Sequence, residues 1–397
     1  MRIGIVSETW PPEINGVALT VAGLVRGLAE AGHDVHVVRP RQAIEEAGEG
    51  ASPRNATTLV RGMRLPRYPG LQFGLPAARA IGNLWRTQRP DAVYVATEGP
   101  LGWSALRIAR ALGIPAAAGF HTRFDDFVRH YGLGFLTDAV FAWLRRFHRR
   151  AAATFVPTAE LAEFLTSRGF GNVVRLPRAV DTALFDPLRR DDALRAAWGV
   201  GPRQLAVIHV GRIAPEKNLD LAVRSFRAIQ ERVPDARYIW VGDGPARSAL
   251  SRENPDFEFA GVRRGEELAR HYASADLFLF PSLTETFGNV TLEALASGVP
   301  TVAFYYGAAR EYLHAGCGSH VPFGDAGAFV HAACDMAVLH ERNAEQRRAA
   351  RAAVAALDPR AVTAQFAQAL AQLATPSKPD GCKASAEATP SLMRNAS

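Results

Sequence analysis

Cysteine and lysine are both scarce in this 397-residue chain, which contains three of each. Cys317, Cys334 and Cys382 show none of the spacings of disulfide scaffolds or cysteine-based metal sites, so both classes are excluded. No apolar run reaches the roughly 18 residues that a membrane-spanning helix needs. The N-terminal segment reads as a β-strand at Ile3–Val6 and not as a signal peptide. These absences predict a cytoplasmic globular protein.

Positive charge is unevenly distributed along the chain, whose formal net charge is +7. Residues 1–178 hold 22 arginines and 14 acidic residues, a surplus of eight positive charges, and the remainder is nearly neutral. This surplus predicts an anionic partner, and nucleic acid, a membrane surface and a phosphorylated substrate all fit it. Lys378 and Lys383 lie in a polar tail, so Lys217 is the one lysine in the part expected to fold. Its retention suggests that an ammonium group is needed there.

Short apolar strands alternate with amphipathic helices in two consecutive series. One series begins at Ile3–Val6 and the other at Leu205–Val210, and the alternation indicates parallel sheets covered by helices. We therefore predict an α/β chain with two doubly wound, Rossmann-like domains that face a cleft. The predicted divisions are residues 1–178, residues 179–357, a terminal helix over 358–374 and a disordered tail over 375–397.

Two glutamates flank a predicted helix start in the second series. Glu285 follows the predicted strand Leu277–Phe280, and Glu293 lies about one turn into the next helix. The backbone N–H groups between them form a natural anion site, since they begin a helix. Carboxylates on both sides of an anion site suit a sugar nucleotide, although either could be an ordinary acid at a helix start or on a helix face. The N–H groups concerned belong to Phe287, Gly288, Asn289 and Val290.

A second candidate segment joins the predicted strand Leu205–Val210 to a helix. Gly211 lets a ligand approach the backbone closely. Arg212 and Lys217 then place two cations at the helix entrance, which favours a diphosphate. The alternative is a solvated charged loop.

Loops of the first series carry weaker candidates. Gly16, at a helix start, could bring a backbone N–H to a phosphate. His121 follows a strand and could donate a hydrogen bond to a sugar hydroxyl, although a lone histidine is more often structural. The chain lacks a dinucleotide-binding fingerprint, a phosphate-binding lysine loop, a G-x-S-x-G turn and an H-E-x-x-H helix, and no metal site is predicted. Candidates for the acceptor side are Asn15, Arg123, Asp125 and Asp126, of which the two aspartates could equally be solvated loop acids.

In this order and spacing, the segments resemble the retaining glycosyltransferases of family 4, which have the GT-B fold. Glu285 and Glu293 match that family's E-x7-E signature, and Gly211-Arg212 with Lys217 matches its G-R-x4-K loop. The first loop, with Asn15-Gly16-Val17, and His121-Thr122 are similar to the family's first loop and acceptor-side histidine. Val180-Asp181 with Phe185 and Pro187 is similar to its interdomain stretch.

The resemblance implies a role for each matched residue. Arg212 and Lys217 would stabilise the departing nucleoside diphosphate, which develops negative charge. Glu285 would position the donor sugar, and Glu293 the ribose. Gly16 would approach the phosphate, and His121 would lie near the transferred sugar. It also implies acceptor binding by residues 1–178, nucleotide-sugar binding by residues 179–357, a last helix that crosses back to the first domain, and no required metal or cofactor.

The donor and acceptor follow from the branch that the loops resemble most. Ala179 stands where the family usually has glycine, and Phe304–Glu311 replaces a small Gly-Gly segment, so the donor sugar is open. The closest resemblance is to bacterial GDP-mannose-dependent and sulfoquinovosyl-type enzymes. We therefore expect mannose transfer from GDP-mannose to a lipid or glycolipid, in the cytoplasm at the inner face of the membrane, with peripheral contact to anionic lipid.

Three other functions also fit the sequence. One is a glycosyltransferase that uses a UDP-sugar and a soluble or polyprenyl-linked saccharide. Another is a sugar-nucleotide epimerase, and a third is a non-catalytic module that binds anionic lipid. Two arginine-rich sets support the third: one surrounds Trp143 and one surrounds Trp85. No nucleic-acid-binding module is recognisable, so nucleic acid is not expected as a partner.

Overall fold

The computed structural model describes residues 1–13, 16–41, 55–64, 72–121, 137–285, 287–339 and 343–375. Four of the predicted site residues, Asn15, Arg123, Asp125 and Asp126, lie outside the described residues, as does the predicted tail beyond Thr375.

The first half of the chain builds a parallel sheet in the order β3-β2-β1-β6-β7-β8-β9 among the described residues. A small antiparallel pair, β4 with β5, stands beside it. The strands are β1 (Arg2–Val6), β2 (Asp34–Pro40), β3 (Asn55–Val60), β4 (Gly62–Arg64), β5 (Gln72–Gly74), β6 (Ala92–Val95), β7 (Ala116–Gly119), β8 (Ala153–Val156) and β9 (Val173–Arg175). The helices are α1 (Gly16–Glu30), α2 (Ala78–Thr87), α3 (Pro100–Ala111), α4 (Thr137–His148) and α5 (Ala159–Ser167).

The second half builds a parallel sheet in the order β12-β11-β10-β13-β14-β15. Its strands are β10 (Ala206–Val210), β11 (Arg237–Val241), β12 (Glu258–Gly261), β13 (Leu277–Phe280), β14 (Thr301–Phe304) and β15 (Gly318–Val321). Its helices are α6 (Asp192–Ala197), α7 (Leu219–Arg232), α8 (Arg247–Glu253), α9 (Gly265–Ser274), α10 (Asn289–Ala296), α11 (Gly307–Tyr312), α12 (Ala326–Val338) and α13 (Asn343–Val354). A last helix, α14 (Pro359–Ala374), follows.

Central strands are buried on both faces, as the unbroken apolar runs predict. All five residues of β10 and all four of β13 are buried. Alternate β10 side chains enter two different clusters: Ile208 lies in one with Leu292 of α10, and Val207 lies in the other with Phe226 of α7. Helices therefore cover both faces of the sheet, which confirms the predicted α/β architecture.

The last helix packs against the first half of the chain, as the resemblance implied. Phe366 of α14 meets Tyr94 edge to face, with 5.0 Å between ring centroids. A Cβ atom on Gly27 of α1 would lie 2.4 Å from the Thr363 hydroxyl oxygen, so only glycine permits this helix approach. The chain therefore crosses from the second sheet back to the first before the described residues end.

Each sheet has a switch point at which the chain changes direction across the sheet. In the first it lies between β1 and β6, and in the second between β10 and β13. Ligands of doubly wound sheets bind outside the carboxyl ends of the strands at such points. The predicted site segments that contain Gly211 and Glu285 follow β10 and β13, so they flank the second switch point.

Two features bear on membrane contact. No helix among the described residues is long and apolar enough to span a bilayer. Trp85 is 1% exposed and belongs to the core of the first half. The second arginine-rich set is therefore not an exposed aromatic patch, because its tryptophan packs inward from the amphipathic helix α2.

Candidate active site

An ion pair between Lys217 and Glu285 forms the centre of the second-half site. Lys217 ends a 3-10 turn before α7, and Glu285 follows β13. The Lys217 ammonium donates a hydrogen bond to Glu285 Oε1, and the two side chains are 20% and 19% exposed. The two residues are far apart in the sequence, and the fold brings these two predicted site residues together at the switch point.

The loop that carries Glu285 is held by neighbouring polar groups. Ser282 Oγ donates to Glu285 Oε1 at 2.9 Å, and the Glu285 backbone N–H donates to the Tyr306 hydroxyl at 3.2 Å. Tyr306 in turn donates to the Ser282 carbonyl at 2.7 Å. Because the carboxylate is fixed before any ligand arrives, it costs little reorganisation on binding. Tyr306 belongs to the segment that replaces the family's small residues, so that segment supports the loop.

Glu293 lies in the second turn of α10 and lines the cleft. Burial raises the pKa of its carboxyl to about 7, although the Tyr272 hydroxyl, which donates at 3.1 Å, lowers it. Near neutral pH the group therefore exists in both protonation states. A carboxyl in this position can accept hydrogen bonds from a diol such as ribose.

No side chain of the residues that the structure describes caps the N-terminus of α10. Gly288 is the N-cap residue, with φ +89°, a backbone conformation that favours glycine. The first N–H groups of a helix have no partner within the helix, so here they are available to an anion. Asn289 and Val290 supply the first of these groups, and Phe287 before them is buried.

Glycines bring the loops after β10 and β11 into contact. A Cβ atom on Gly242 would lie 1.9 Å from the carbonyl oxygen of Gly211, and both residues have positive φ angles. A side chain at position 242 is therefore excluded. This packing places the Gly211 backbone at the carboxyl edge of the sheet, where the sequence predicts the approach of a ligand.

Arg212 stands apart from the Lys217–Glu285 pair. Its side chain is 58% exposed, and its guanidinium pairs with Glu216 at 3.3 Å. The sequence predicts that it helps to hold a diphosphate. In this structure that role remains a prediction, because the side chain contacts a neighbouring loop acid and not the rest of the site.

His121 lies at the carboxyl edge of the first sheet and lines the cleft. Arg178 donates to its Nδ1 at 3.0 Å, and its Nε2 lies 2.7 Å from the Tyr94 hydroxyl. Since a guanidinium cannot accept, Nδ1 is the acceptor and Nε2 carries the ring proton, which it donates to Tyr94. Burial, and then the positive charge of Arg178, lower the pKa of His121 well below its usual range. The ring is therefore neutral, and both nitrogens are occupied.

The two halves of the chain meet where helices α1 and α10 begin. A Cβ atom on Gly16, the first residue of α1, would lie 3.3 Å from Asn289 Nδ2 of α10. Beside this contact is a cavity of about 730 Å³, lined by residues of both halves and of α14. Gly16 and Asn289, predicted separately, thus face each other across the cleft.

Sequence reasoning missed several polar residues of the site. They are Tyr94, Arg178, Tyr272, Ser282 and Tyr306. Arg178 is the clearest omission: it is 6% exposed, although it lies two residues before the interdomain stretch and is the last residue of the predicted first domain. The sequence signal that points to Arg178 is its position in a Leu-Pro-Arg run directly after a strand. Among the residues that the structure describes, no group of three or more His, Cys, Asp or Glu side chains could hold a metal ion.

Comparisons with known proteins agree on one family. The model described as "Glycosyltransferase Family 4" matches residues 14–184, and "Glycosyl transferases group 1" matches residues 204–337. A GDP-mannose-dependent alpha-mannosyltransferase of Mycolicibacterium smegmatis is 37% identical over 322 residues, which cover 79% of this chain and 82% of the relative.

Two more distant relatives and one solved structure extend the comparison. A sulfoquinovosyl transferase of Arabidopsis thaliana is 31% identical, with 76% of this chain and 59% of the relative covered. An alpha-monoglucosyldiacylglycerol synthase of Acholeplasma laidlawii is 27% identical, with 77% and 80% covered. The sucrose-phosphate synthase structure from Thermosynechococcus elongatus superposes with a TM-score of 0.74 at 20% identity, over 94% of this chain and 98% of that one. This last likeness shows the GT-B fold.

Proposed function

Because this chain belongs to glycosyltransferase family 4, we propose that it transfers mannose from GDP-mannose to a lipid or glycolipid acceptor, with retention of configuration and without a metal or cofactor. The observation that carries the proposal is the Lys217–Glu285 pair beside the uncapped start of α10. It combines a fixed cation, free helix N–H groups and a carboxylate at one point. A sugar diphosphate has the complementary chemistry.

Charge stabilisation explains how this arrangement would accelerate transfer. As the bond between the sugar C1 and the phosphate oxygen breaks, negative charge grows on the diphosphate. Lys217 has three N–H donors, so it can hold Glu285 and a phosphate oxygen together. The α10 N–H groups and dipole add positive potential to the same place. Such preorganised groups are usually the largest single contribution to catalysis.

The proposed transfer is a same-face substitution. The sugar C1–phosphate bond breaks, a new bond forms from C1 to the acceptor oxygen, and the acceptor proton passes to the leaving phosphate. Glu285 would accept hydrogen bonds from the sugar hydroxyls and thereby orient C1. The neutral His121 ring, fixed by Tyr94 and Arg178, would line the other side of the sugar.

The nucleoside end of the donor is assigned to the cavity beside α9 and α10. Glu293 would accept from the ribose hydroxyls. Arg263 and Arg264, just before α9, line the same cavity and offer donors to the O6 and N7 acceptors of guanine. The mannosyltransferase relative, whose name specifies GDP-mannose, supports this choice of base and sugar.

A lipid acceptor is supported by one relative and by an exposed surface. The relative from Acholeplasma is named as a synthase of a glucosylated diacylglycerol. The surface, here called the tryptophan patch, consists of Trp103 and Trp143, whose rings lie 5.9 Å apart, of Arg150 on Trp103, and of Arg146 and Arg149 close to Arg150. Trp143 is 40% exposed.

The arginines of the tryptophan patch form one positive cluster. The Arg150 guanidinium stacks on Trp103 at 4.5 Å from the ring centroid. Burial, followed by the charges of Arg146, Arg110 and Arg149, lowers the pKa of Arg150. Amphipathic tryptophan side chains with cations close by suit the headgroup region of an anionic bilayer. We therefore include peripheral contact with the inner face of the membrane in the proposal.

A donor panel tests the proposed function. The purified protein is incubated with GDP-mannose, UDP-glucose or ADP-glucose and vesicles that contain diacylglycerol and phosphatidylinositol, and lipid products are identified by mass spectrometry. We expect a mannosylated lipid from GDP-mannose only. Product from UDP-glucose alone would contradict the proposed donor, and an isomerised nucleotide sugar formed without vesicles would indicate an epimerase.

A further inference from the structure

Arg178 carries a buried positive charge that no acid among the described residues balances. It is 6% exposed, and among the described residues no carboxylate lies within 4.0 Å of its guanidinium. Its partners in the described part of the chain are neutral: the Thr20 hydroxyl, the Gly16 carbonyl at 3.4 Å and His121. Its Nε–H finds no acceptor among those residues. Burial lowers the pKa of Arg178 to about 10, so the group is still charged at neutral pH.

A buried, uncompensated charge is costly, and such groups normally have a counter-ion. Arg195 shows this rule within the same chain. It is 1% exposed, and it pairs with Asp276 at 2.8 Å while it donates to three backbone carbonyls. Arg178 has no such partner within the described ranges, and it lines the interdomain cavity. A ligand in that cavity could supply the missing negative charge.

The surroundings of Arg178 identify the chemistry of this ligand. The guanidinium lies 6.0 Å from the Phe287 ring, next to the start of α10. It also contacts Gly16, at the start of α1. Two helix N-termini and one buried guanidinium therefore converge, and all three favour an anion with several acceptor oxygens. Phosphate has this character.

We infer that Arg178 binds a phosphate group of a substrate and serves as a cation, additional to Lys217, that the interdomain segment supplies to the cleft. The inference rests on the proposed function. The phosphate could belong to the donor diphosphate or to a phospholipid acceptor, and the test below separates these sources. Since His121 accepts from the same guanidinium, a bound phosphate would also be coupled to the position of the ring that lines the sugar site.

The test compares Arg178→Met, which removes the charge, with Arg178→Lys, which keeps it without the planar fork. Thr20→Val is the matched control, since it removes a hydrogen-bond partner of Arg178 and changes no charge. Melting temperatures are recorded for each protein against inorganic pyrophosphate, GDP and guanosine. The KM for phosphatidylinositol and for diacylglycerol in neutral vesicles is measured as well.

If the phosphate belongs to the donor, Arg178→Met should weaken pyrophosphate and GDP binding about 10- to 100-fold, the usual range for hydrogen bonds to charged groups. Guanosine binding should be unchanged, and Arg178→Lys should be intermediate. If it belongs to the acceptor, GDP binding should stay intact while the KM for phosphatidylinositol rises and that for diacylglycerol does not. Either result supports the inference.

Two results would separate failure of this inference from failure of the proposed function. If Arg178→Met folds and changes neither GDP binding nor the preference for phosphatidylinositol, the inference is wrong and the proposed function stands. If the wild-type protein is stabilised by pyrophosphate but by neither GDP nor GDP-mannose, the proposed donor is wrong. Should Arg178→Met not fold, Arg178→Lys decides: if this variant leaves both the GDP affinity and the KM for phosphatidylinositol unchanged, the inference is overturned.

Discussion

Arg195 and Arg178 are both almost fully buried, yet they are neutralised in different ways. Arg195, in the second half, has Asp276 as an internal partner. Arg178, between the halves, has only neutral partners among the described residues. The difference distinguishes a cation that stabilises the fold from one that is positioned for a ligand. The Lys217–Glu285 pair lies between these extremes, because it is balanced but partly exposed.

The largest effect on stability is expected from removal of Asp276, the internal partner of Arg195. Asp276→Ala should lower the free energy of unfolding by about 3–5 kcal/mol, because it leaves Arg195 buried without a counter-ion. Asp276 also accepts from the Ala206 backbone N–H at 2.9 Å, so a strand contact is lost as well. Urea unfolding followed by circular dichroism measures the change.

A surface pair provides the matched control for this prediction. Asp256 pairs with Arg227 at 2.6 Å, but the two side chains are 44% and 39% exposed. Asp256→Ala should therefore cost only about 0–1 kcal/mol. If both alanine variants lost the same stability, burial would not be the cause of the difference, and the comparison with Arg178 would lose its basis.

Loss of the Lys217–Glu285 pair should affect catalysis more than stability. Lys217→Ala and Glu285→Ala should each reduce kcat about 10²- to 10³-fold or more, as removal of one stabilising group in a preorganised site does. Initial rates with GDP-mannose measure this, with the melting temperature as a check on folding. Arg212→Ala is the informative companion, since its exposed side chain predicts a smaller loss unless donor binding draws it inward. Normal turnover in the Lys217 variant would contradict the assignment of the site.

Glu293 extends the comparison to an acid, because its carboxyl is buried and has no cationic partner in the described part of the chain. Its folded-state pKa of about 7 lies above the unfolded value, so its contribution to stability is complete below about pH 4.5 and is lost as the pH rises through 7. Relative to Glu293→Gln, the wild type should lose about 2–3 kcal/mol of stability between these limits. Melting curves at half-unit pH steps measure the difference. A difference that does not vary with pH would show that the group keeps an ordinary pKa.

The smallest effect concerns exposed cations of the first half. Arg146→Ala with Arg149→Ala should weaken binding to vesicles containing phosphatidylserine by about 1 kcal/mol per residue. Cosedimentation at low and high salt measures the partition, and the loss should disappear at high salt. Arg252→Ala, at an exposed position of α8, is the control. Equal losses in both proteins would place the membrane contact elsewhere.

Much of the fold could be predicted from local patterns. Leu277–Phe280 was predicted as a strand from its apolar run, and β13 has these bounds. The predicted terminal helix over 358–374 agrees with α14 to within one residue. Helices α4 and α5 are not predicted from the pattern, because α5 has only nine residues and α4 carries two consecutive arginines among its apolar residues. The family resemblance, and with it the enzyme class, was confirmed by relatives.

Residue types and spacing in the sequence determined the two sheets, the positions of Gly211, Lys217, Glu285 and Glu293 after or near strand ends, and the family. These features are local, since strands, turns and helix starts depend on neighbouring residues. Only the tertiary structure decided which charges are paired and which are buried alone. Arg212 and Arg178 show this clearly: a loop arginine that the sequence favoured is exposed, and an arginine it passed over is enclosed in the cleft. Burial arises from contacts between segments that are distant in the chain, and it sets the energetic cost of each charge.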